Sequence, residues 1–418
     1  MTTILPRSTA CFGTTIPTAP IAPLAAVAGS DARVACASGR VRYANLDYAA
    51  SAPALQTVVD EITAALPRYA SVHRGAGQLS QETTAAYEDA RRSVARFVGA
   101  RDDDTVVFTR NTTDSINLLA TCVPGDTVVL DVEHHANLLP WKRTGARIVE
   151  CAQTVAATLT ALDRELAARP AALLAITGAS NVTGEVLPLP TLATIAHRHG
   201  ARLFVDAAQL APHRAVTIAD HGIDYLAFSG HKLYAPFGAG VLVGRTDWLD
   251  GAEPYLAGGG ASADVPREIA DDDVDTRWHH GPARHEAGSP NVLGALAVAA
   301  ACDALIEWGP ERIRRHEQSL LARLDAGLGR LPGVRPLRIW SDSHDHVGIA
   351  AFTVDGWTPR AVAEHLSDGH GIGVRDGRFC AHPLLSRLGH PDGAVRVSLG
   401  LGSRSEDIDR LLTALAEL

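Results

Sequence analysis

No apolar segment of this chain reaches the roughly 18 residues that a helix needs to cross a bilayer, so no membrane span is expected. Basic residues form no run, and 38 Lys and Arg against 47 Asp and Glu leave a net charge of −9, which offers no positive field to a phosphate backbone. Nucleic acid is therefore not an expected partner, and the expected ligand is small. Cys11, Cys36, Cys122, Cys151, Cys302 and Cys380 nowhere form a CxxC pair, which argues against a zinc knuckle and against a disulfide framework. Scattered reduced thiols fit a cytoplasmic protein. Residues 1–30 are rich in Thr, Pro and Ala, but Pro17, Pro20 and Pro23 break any apolar stretch, and no basic segment precedes it. This reads as a flexible or surface-lying extension. The chain shows no internal repeat and no other low-complexity tract.

What is present is ordinary globular composition, 46% hydrophobic and 20% charged, over 418 residues, more than one core usually serves. Two lobes are expected. Between about residues 105 and 245 short β-branched apolar runs alternate with polar turns and helical segments. The runs are Thr105 to Thr109, Thr127 to Asp131, Ala172 to Thr177, Arg202 to Asp206, Asp224 to Ser229 and Gly240 to Gly244. Their unbroken apolar character suits strands of a largely parallel α/β sheet covered on both faces, where ligands gather at the carboxyl ends. After Pro290 two long helices are expected, Val292 to Trp308 and Pro310 to Leu331, followed by α+β alternation. The expected organisation is an extension over 1–40, a large domain over 41–304 and a small C-terminal domain over 305–418, on which part of the N-terminal segment packs. Residues 252–290, rich in Gly, Asp and His, read as a long ordered loop or a mobile segment, and loops of that length often carry function.

Four segments carry chemistry. Phe228-Ser229-Gly230-His231-Lys232 places a lysine at the end of an apolar run. An amine attacks an aldehyde only when deprotonated, which desolvation and nearby cations favour, and a Schiff-base lysine for pyridoxal phosphate requires this. A lysine after a strand is, taken alone, more often a solvated surface residue. Upstream, a strand ends in the carboxylate of Asp206, which would be buried. A buried carboxylate needs a partner, and a protonated pyridine nitrogen is one, although an Asp there would equally cap the next helix. Arg110-Asn111-Thr112-Thr113-Asp114-Ser115 opens a helix and offers N–H groups and hydroxyls to a phosphate, or a plain Thr cap. Glu133-His134-His135 follows another strand and can lay an imidazole on a flat cofactor; without a second HxxxH or a carboxylate at ligand spacing, no metal is expected.

In order along the chain these segments resemble the class V aminotransferase superfamily, most closely its cysteine desulfurase and selenocysteine lyase branch of the SufS type. The resemblance runs from about Leu46 to the C-terminus and rests on LDYAAS (46–51), SVHRG (71–75), RNTTDSINL (110–118), EHHANLLPW (133–141), ASNVTG (179–184), VDAAQ (205–209), FSGHKLYAPFGAG (228–240), EAGSPN (286–291) and RFCAHPL (378–384). It implies fold type I of the pyridoxal 5'-phosphate enzymes: α/β, with a mostly parallel seven-stranded sheet in the large domain and a smaller α+β C-terminal domain. It also implies a homodimer. Lys232 is then the Schiff-base lysine that moves the Cα proton, Asp206 the pyridinium partner, Gln209 a donor to the phenolic oxygen and His134 the stacking imidazole. Thr113, Ser229 and His231 match phosphate contacts, Thr112 belongs to the same seat, and Ser289 stands where the family uses a Thr from the neighbouring subunit. Asn181 and Arg396 match positions that hold the substrate carboxylate, Arg375 lies in the same C-terminal strand, and His73 sits in the SVHRG segment on the substrate side.

Cys380 matches the desulfurase nucleophile. The activity implied is conversion of L-cysteine to L-alanine, with sulfur left as a persulfide on Cys380 for a sulfur-acceptor protein. One segment departs from the family, which carries an RTGHHC-like stretch where this chain reads Arg375-Asp376-Gly377-Arg378-Phe379-Cys380. Arg375 and Arg378 are expected to favour a thiolate and Asp376 to oppose it. That departure keeps open a C–S lyase, epimerase or aminotransferase acting on a specialised amino acid, and beyond these a non-catalytic scaffold of the same fold.

Overall fold

Unbroken apolar runs become strands here because both faces of their sheet are covered. The computed structural model describes residues 19–265 and 276–418. The main sheet holds β1 (Asp104–Thr109), β2 (Thr127–Leu130), β3 (Arg147–Val149), β4 (Leu173–Thr177), β5 (Arg202–Asp206), β6 (Tyr225–Ser229) and β7 (Gly240–Arg245). Their order is β1-β7-β6-β5-β4-β2-β3. Pairing is parallel from β6 across to β3, and β7 runs antiparallel to both β1 and β6. Every residue of β4 and β6 is buried, as a doubly covered sheet requires. The strand not foreseen, β3, is a three-residue edge strand, partly exposed, and too short to leave an apolar run.

Helices α1 (Gln56–Ala65), α2 (Gln78–Phe97) and α3 (Thr112–Cys122) belong to the large lobe, as does α4 (Val292–Trp308). Val298, Cys302 and Leu305 of α4 lie in the main core, so the expected lobe boundary at 305 falls inside a helix. The break comes at Gly309, whose φ of 81° is left-handed and favours glycine, and which is followed by Pro310 at the start of α5 (Pro310–Leu328). The two helices meet at 83°. The small lobe is an antiparallel sheet of β8 (Val334–Pro336), β9 (Ile349–Val354), β10 (Arg375–Gly377) and β11 (Ala394–Ser398), in the order β8-β9-β11-β10, backed by α5 and α6 (Ser405–Leu415). Its core includes Leu320, Leu324, Phe352, Val397 and Leu411.

The flexible extension expected over 1–40 needs correction from Ile21 onward; residues 1–18 lie outside the described ones. Leu24 and Ala25 donate their N–H groups to Leu401 O at 2.7 and 3.1 Å, and Ala25 and Val27 are buried in the main core. These two apolar side chains, just past Pro23, dock the segment. A hairpin follows, Arg33–Cys36 with Gly39–Arg42, and Ala44–Asn45 then pairs with Ile372–Gly373 of the small lobe. The 252–290 stretch is ordered where described: Glu286 is bonded by Arg91, Tyr87 and the Phe108 N–H. Residues 266–275 lie outside the described ones.

One buried charge cluster joins the lobes. Glu317 on α5 meets His213 and, at 2.6 Å, Arg214 Nη1, while Arg214 also donates to His346 O. Glu317 and His213 are buried, and the two basic groups hold the Glu317 carboxyl below its usual range against the opposing effect of burial. Removing one partner from such a cluster strands the others without water. Glu317→Ala is expected to destabilise the protein by about 3–5 kcal/mol, read as a lower urea midpoint.

Candidate active site

The carboxyl ends of β1, β4, β5 and β6 open onto one cavity of about 420 Å³. On one side the N-terminus of α3 forms a seat for an anion. The Thr112 N–H donates to Ser229 Oγ at 2.8 Å, the two hydroxyls lie 2.7 Å apart, and Asn111 Oδ1 caps the Asp114 N–H at 3.0 Å. The Thr113 N–H is left without a partner among the described residues and lines the cavity with the Thr113 side chain. Gly240 lets β7 approach this loop: a Cβ there would lie 2.5 Å from Asn111 Cα. That contact ties the glycine to the shape of the seat.

Lys232 is half-buried and lines the cavity. Burial holds its amine down to about 8, with Asp206 acting against the fall and Arg396 with it. Roughly a quarter of such amines are neutral near pH 7.5, against about one in a thousand for an ordinary lysine. The amine is thereby ready to attack a carbonyl. The side-chain carboxylate of Asp206, buried at the end of β5, accepts the Ala208 N–H at 2.9 Å and no other hydrogen bond among the described residues. Burial raises its pKa. An enclosed carboxylate with spare acceptor capacity fits a protonated ring nitrogen.

His134 Nδ1 accepts the Ala136 N–H at 3.0 Å, which leaves the ring proton on Nε2, and burial carries its pKa down to about 3. The imidazole is neutral and flat at working pH. The preceding residue, Glu133, is fully buried, bonded by Asn137 Nδ2 at 2.7 Å and the Thr177 N–H at 3.0 Å, and pushed up to about 8 by burial. Gln209 donates to Ala49 O at 2.8 Å, fixing its amide beside the cavity.

The opposite wall comes from the small lobe. Arg396 on β11 is buried, donating through Nη1 to Asn181 O at 2.9 Å and through Nη2 to Asp47 Oδ1 at 3.0 Å, with its guanidinium 5.2 Å from the Phe379 ring centroid. Its Nε is buried with no partner among the described residues. A guanidinium that lines the cavity with N–H groups to spare suits a carboxylate. Phe379 and Cys380 have φ of 52° and 53°, two consecutive non-glycine residues in the left-handed region, each costing about 1–3 kcal/mol. Two bonds from the large lobe hold them: Asn181 Nδ2 to Phe379 O at 2.8 Å and the His135 N–H to Cys380 O at 2.9 Å. The Cys380 side chain is exposed at the cavity.

The cavity thus gathers Lys232, Asp206, Gln209, His134, Thr112, Thr113, Ser229, His231, Asn181, Arg375, Arg396 and Cys380. His73 and Ser289 do not line it. His73 is exposed, bonds Glu88 at 2.9 Å and packs on Tyr87, and Ser289 is exposed as well. Asp376 does not line it either: alternation along β10 turns it from the face of Arg375, and it pairs with Arg360 at 3.4 Å. Asp376 thus has a cation of its own outside the cavity lining. Asp47, Glu133 and Phe379 went unassigned because their roles depend on partners far along the chain. One signal was available for the lysine: the chain holds only Lys142 and Lys232, and Lys142 is exposed.

A cleft at strand ends with a low-pKa lysine, a buried aspartate, an anion seat and a neutral imidazole defines a pyridoxal-phosphate enzyme of fold type I. Comparison with known proteins agrees: residues 44–411 match the model of the aminotransferase class-V family. The chain is 38% identical to a cysteine desulfurase of Dickeya dadantii, covering 89% of this chain and 91% of that protein, and 38% identical to a probable cysteine desulfurase of Halobacterium salinarum, covering 89% and 90%. The apo cysteine desulfurase of Thermococcus onnurineus superposes with a TM-score of 0.82 at 35% identity, over 90% of this chain and 94% of that one. The Escherichia coli cysteine desulfurase CsdA in its S-sulfonic acid form gives 0.78 at 34%, with the same coverage. This chain belongs to the class V aminotransferase family.

The amine pKa makes a pH prediction. The neutral amine is the nucleophile, so its fraction rises with pH and saturates above the pKa. The rate at which the apo protein captures pyridoxal phosphate is expected to climb through about pH 8 and level off, whereas an ordinary lysine amine would keep climbing to near 10.5. Stopped-flow absorbance of the bound cofactor measures it.

Proposed function

We propose that this chain is a pyridoxal-phosphate-dependent cysteine desulfurase that takes sulfur from L-cysteine onto Cys380 and releases L-alanine. The observation that carries this is the presence, in one cavity, of Lys232, the Arg396 guanidinium and the exposed thiol of Cys380. The named relatives support the same reading.

Thr112, Thr113, Ser229 and His231 would hold the cofactor's phosphate, Asp206 its ring nitrogen, Gln209 its phenolic oxygen and His134 its flat face. Bound there, the cofactor supplies an electron sink for Cα of an amino acid. Arg396, with Asn181 beside it and Arg375 at the same wall, anchors the substrate carboxylate and orients Cα toward Lys232. The Lys232 amine takes the Cα proton and later returns one. The Cys380 thiolate attacks the substrate sulfur: an S–S bond forms, the Cβ–S bond breaks, its electron pair remains with the substrate carbons, and protonation there completes alanine. Exposure of Cys380 at the mouth leaves its persulfide open to a sulfur-acceptor protein. His73 and Ser289 lie exposed outside their own cavity and stand ready for a second copy, as a homodimer would use them. The scattered cysteines favour the cytoplasm as its location.

The exposed Cys380 thiol in the cavity favours sulfur transfer over C–S lysis, epimerisation or transamination. Cys380→Ala is expected to lower alanine and sulfide formation from L-cysteine by at least about a hundredfold and to abolish the mass increment of one sulfur on the chain. Equal turnover by the variant would exclude Cys380 as the sulfur acceptor.

A further inference from the structure

His365-Leu366-Ser367-Asp368-Gly369-His370 sets two histidines five positions apart. On a regular α-helix that spacing turns them about 140° away from each other. Residues His365–Gly369 instead form a π-turn, whose wider winding returns the fifth position toward the first, and the two ring centroids lie 5.0 Å apart. Glu417, beyond the end of α6, completes a group in which one ligand atom from each of the three residues lies within 4.8 Å of the others. None of the three lines the active-site cavity.

Two further observations point to an ion. His365 Nε2 bonds Ala414 O at 3.0 Å. A carbonyl only accepts, so the proton is on Nε2 and Nδ1 presents a lone pair; metal-bound histidines anchor their second nitrogen in this way. His370 Nε2 lies 3.3 Å from Glu417 Oε2, longer than the 2.7 Å of His197 to Asp224 or the 2.8 Å of His199 to Asp163. Two ligands on a tetrahedral zinc stand roughly 3.3 Å apart. A surface ion pair accounts for His370 and Glu417, but it makes no use of the second imidazole that shares their corner.

We propose that His365, His370 and Glu417 form a site for a divalent transition-metal ion, zinc foremost, with water in the fourth position. Two imidazoles and one carboxylate suit zinc and its neighbours, whereas calcium and magnesium take oxygen ligands. The ion would tie the π-turn to the C-terminal helix. That turn already carries the N-terminal hairpin, through the Ala37 N–H to Asp368 O at 2.7 Å, and holds Arg410 Nη2 on His370 O at 2.7 Å. The site would therefore tie the hairpin at 33–42 and the C-terminal helix to one corner of the small lobe.

Calorimetric titration of chelator-treated holoenzyme with zinc tests this, using Cys380→Ala as the parent so that the exposed thiol does not compete. The expected result is uptake of one ion per chain, weakened at least about tenfold by adding either His370→Ala or Glu417→Gln, with unchanged circular dichroism. Zinc uptake that neither substitution alters, or no uptake by the parent, overturns the proposal.

Discussion

The buried guanidinium of Arg396 is the contact on which the active site depends. A charge withdrawn from water must be paired, and the partners come from Asp47, Asn181 and the Phe379 ring, segments separated by hundreds of residues. Asn181 in turn holds Phe379 O. Satisfying one cation therefore brings the large-lobe strand ends, the N-terminal segment and the cysteine loop to a common wall. The Arg396 Nε is left buried and without a partner among the described residues, while the guanidinium as a whole lines the cavity.

Burial does two different things within this cavity. It makes Lys232 more reactive by favouring its neutral form, and it makes His134 inert as a base by holding it near 3. One desolvating environment thus separates a proton-transferring amine from a flat neutral support. The same enclosure raises Asp206, which needs a cation to stay ionised, and a protonated ring nitrogen meets that need. The strained turn at Phe379 and Cys380 belongs to this arrangement, because bonds from Asn181 and His135 hold a thiol at the mouth that an unrestrained loop would withdraw.

Local pattern was enough to locate the strands with unbroken apolar runs, and the polar residues at their carboxyl ends had to converge once those strands lay parallel. Lys232, Asp206, His134 and Thr113 were legible for that reason, and family motifs extended the reading to Asn181, Arg396 and Cys380. Three-residue β3 was invisible because an edge strand needs little apolar character. The N-terminal segment was misread since its prolines hide the few side chains, Ala25 and Val27, that dock it.

The sequence by itself determined the class of sheet and which polar residues stand at its carboxyl ends, Lys232, Asp206, His134 and Thr113 among them, because each strand is marked by neighbours a few residues away. Only the tertiary structure decided which way Asp376 faces, what covers Arg396, how Glu133 is buried between Asn137 and Thr177, and that His365, His370 and Glu417 share one corner. Those relations are set by pairing across lobes and by a π-turn that no local periodicity announces. A buried charge or an imidazole can find its partner anywhere along the chain.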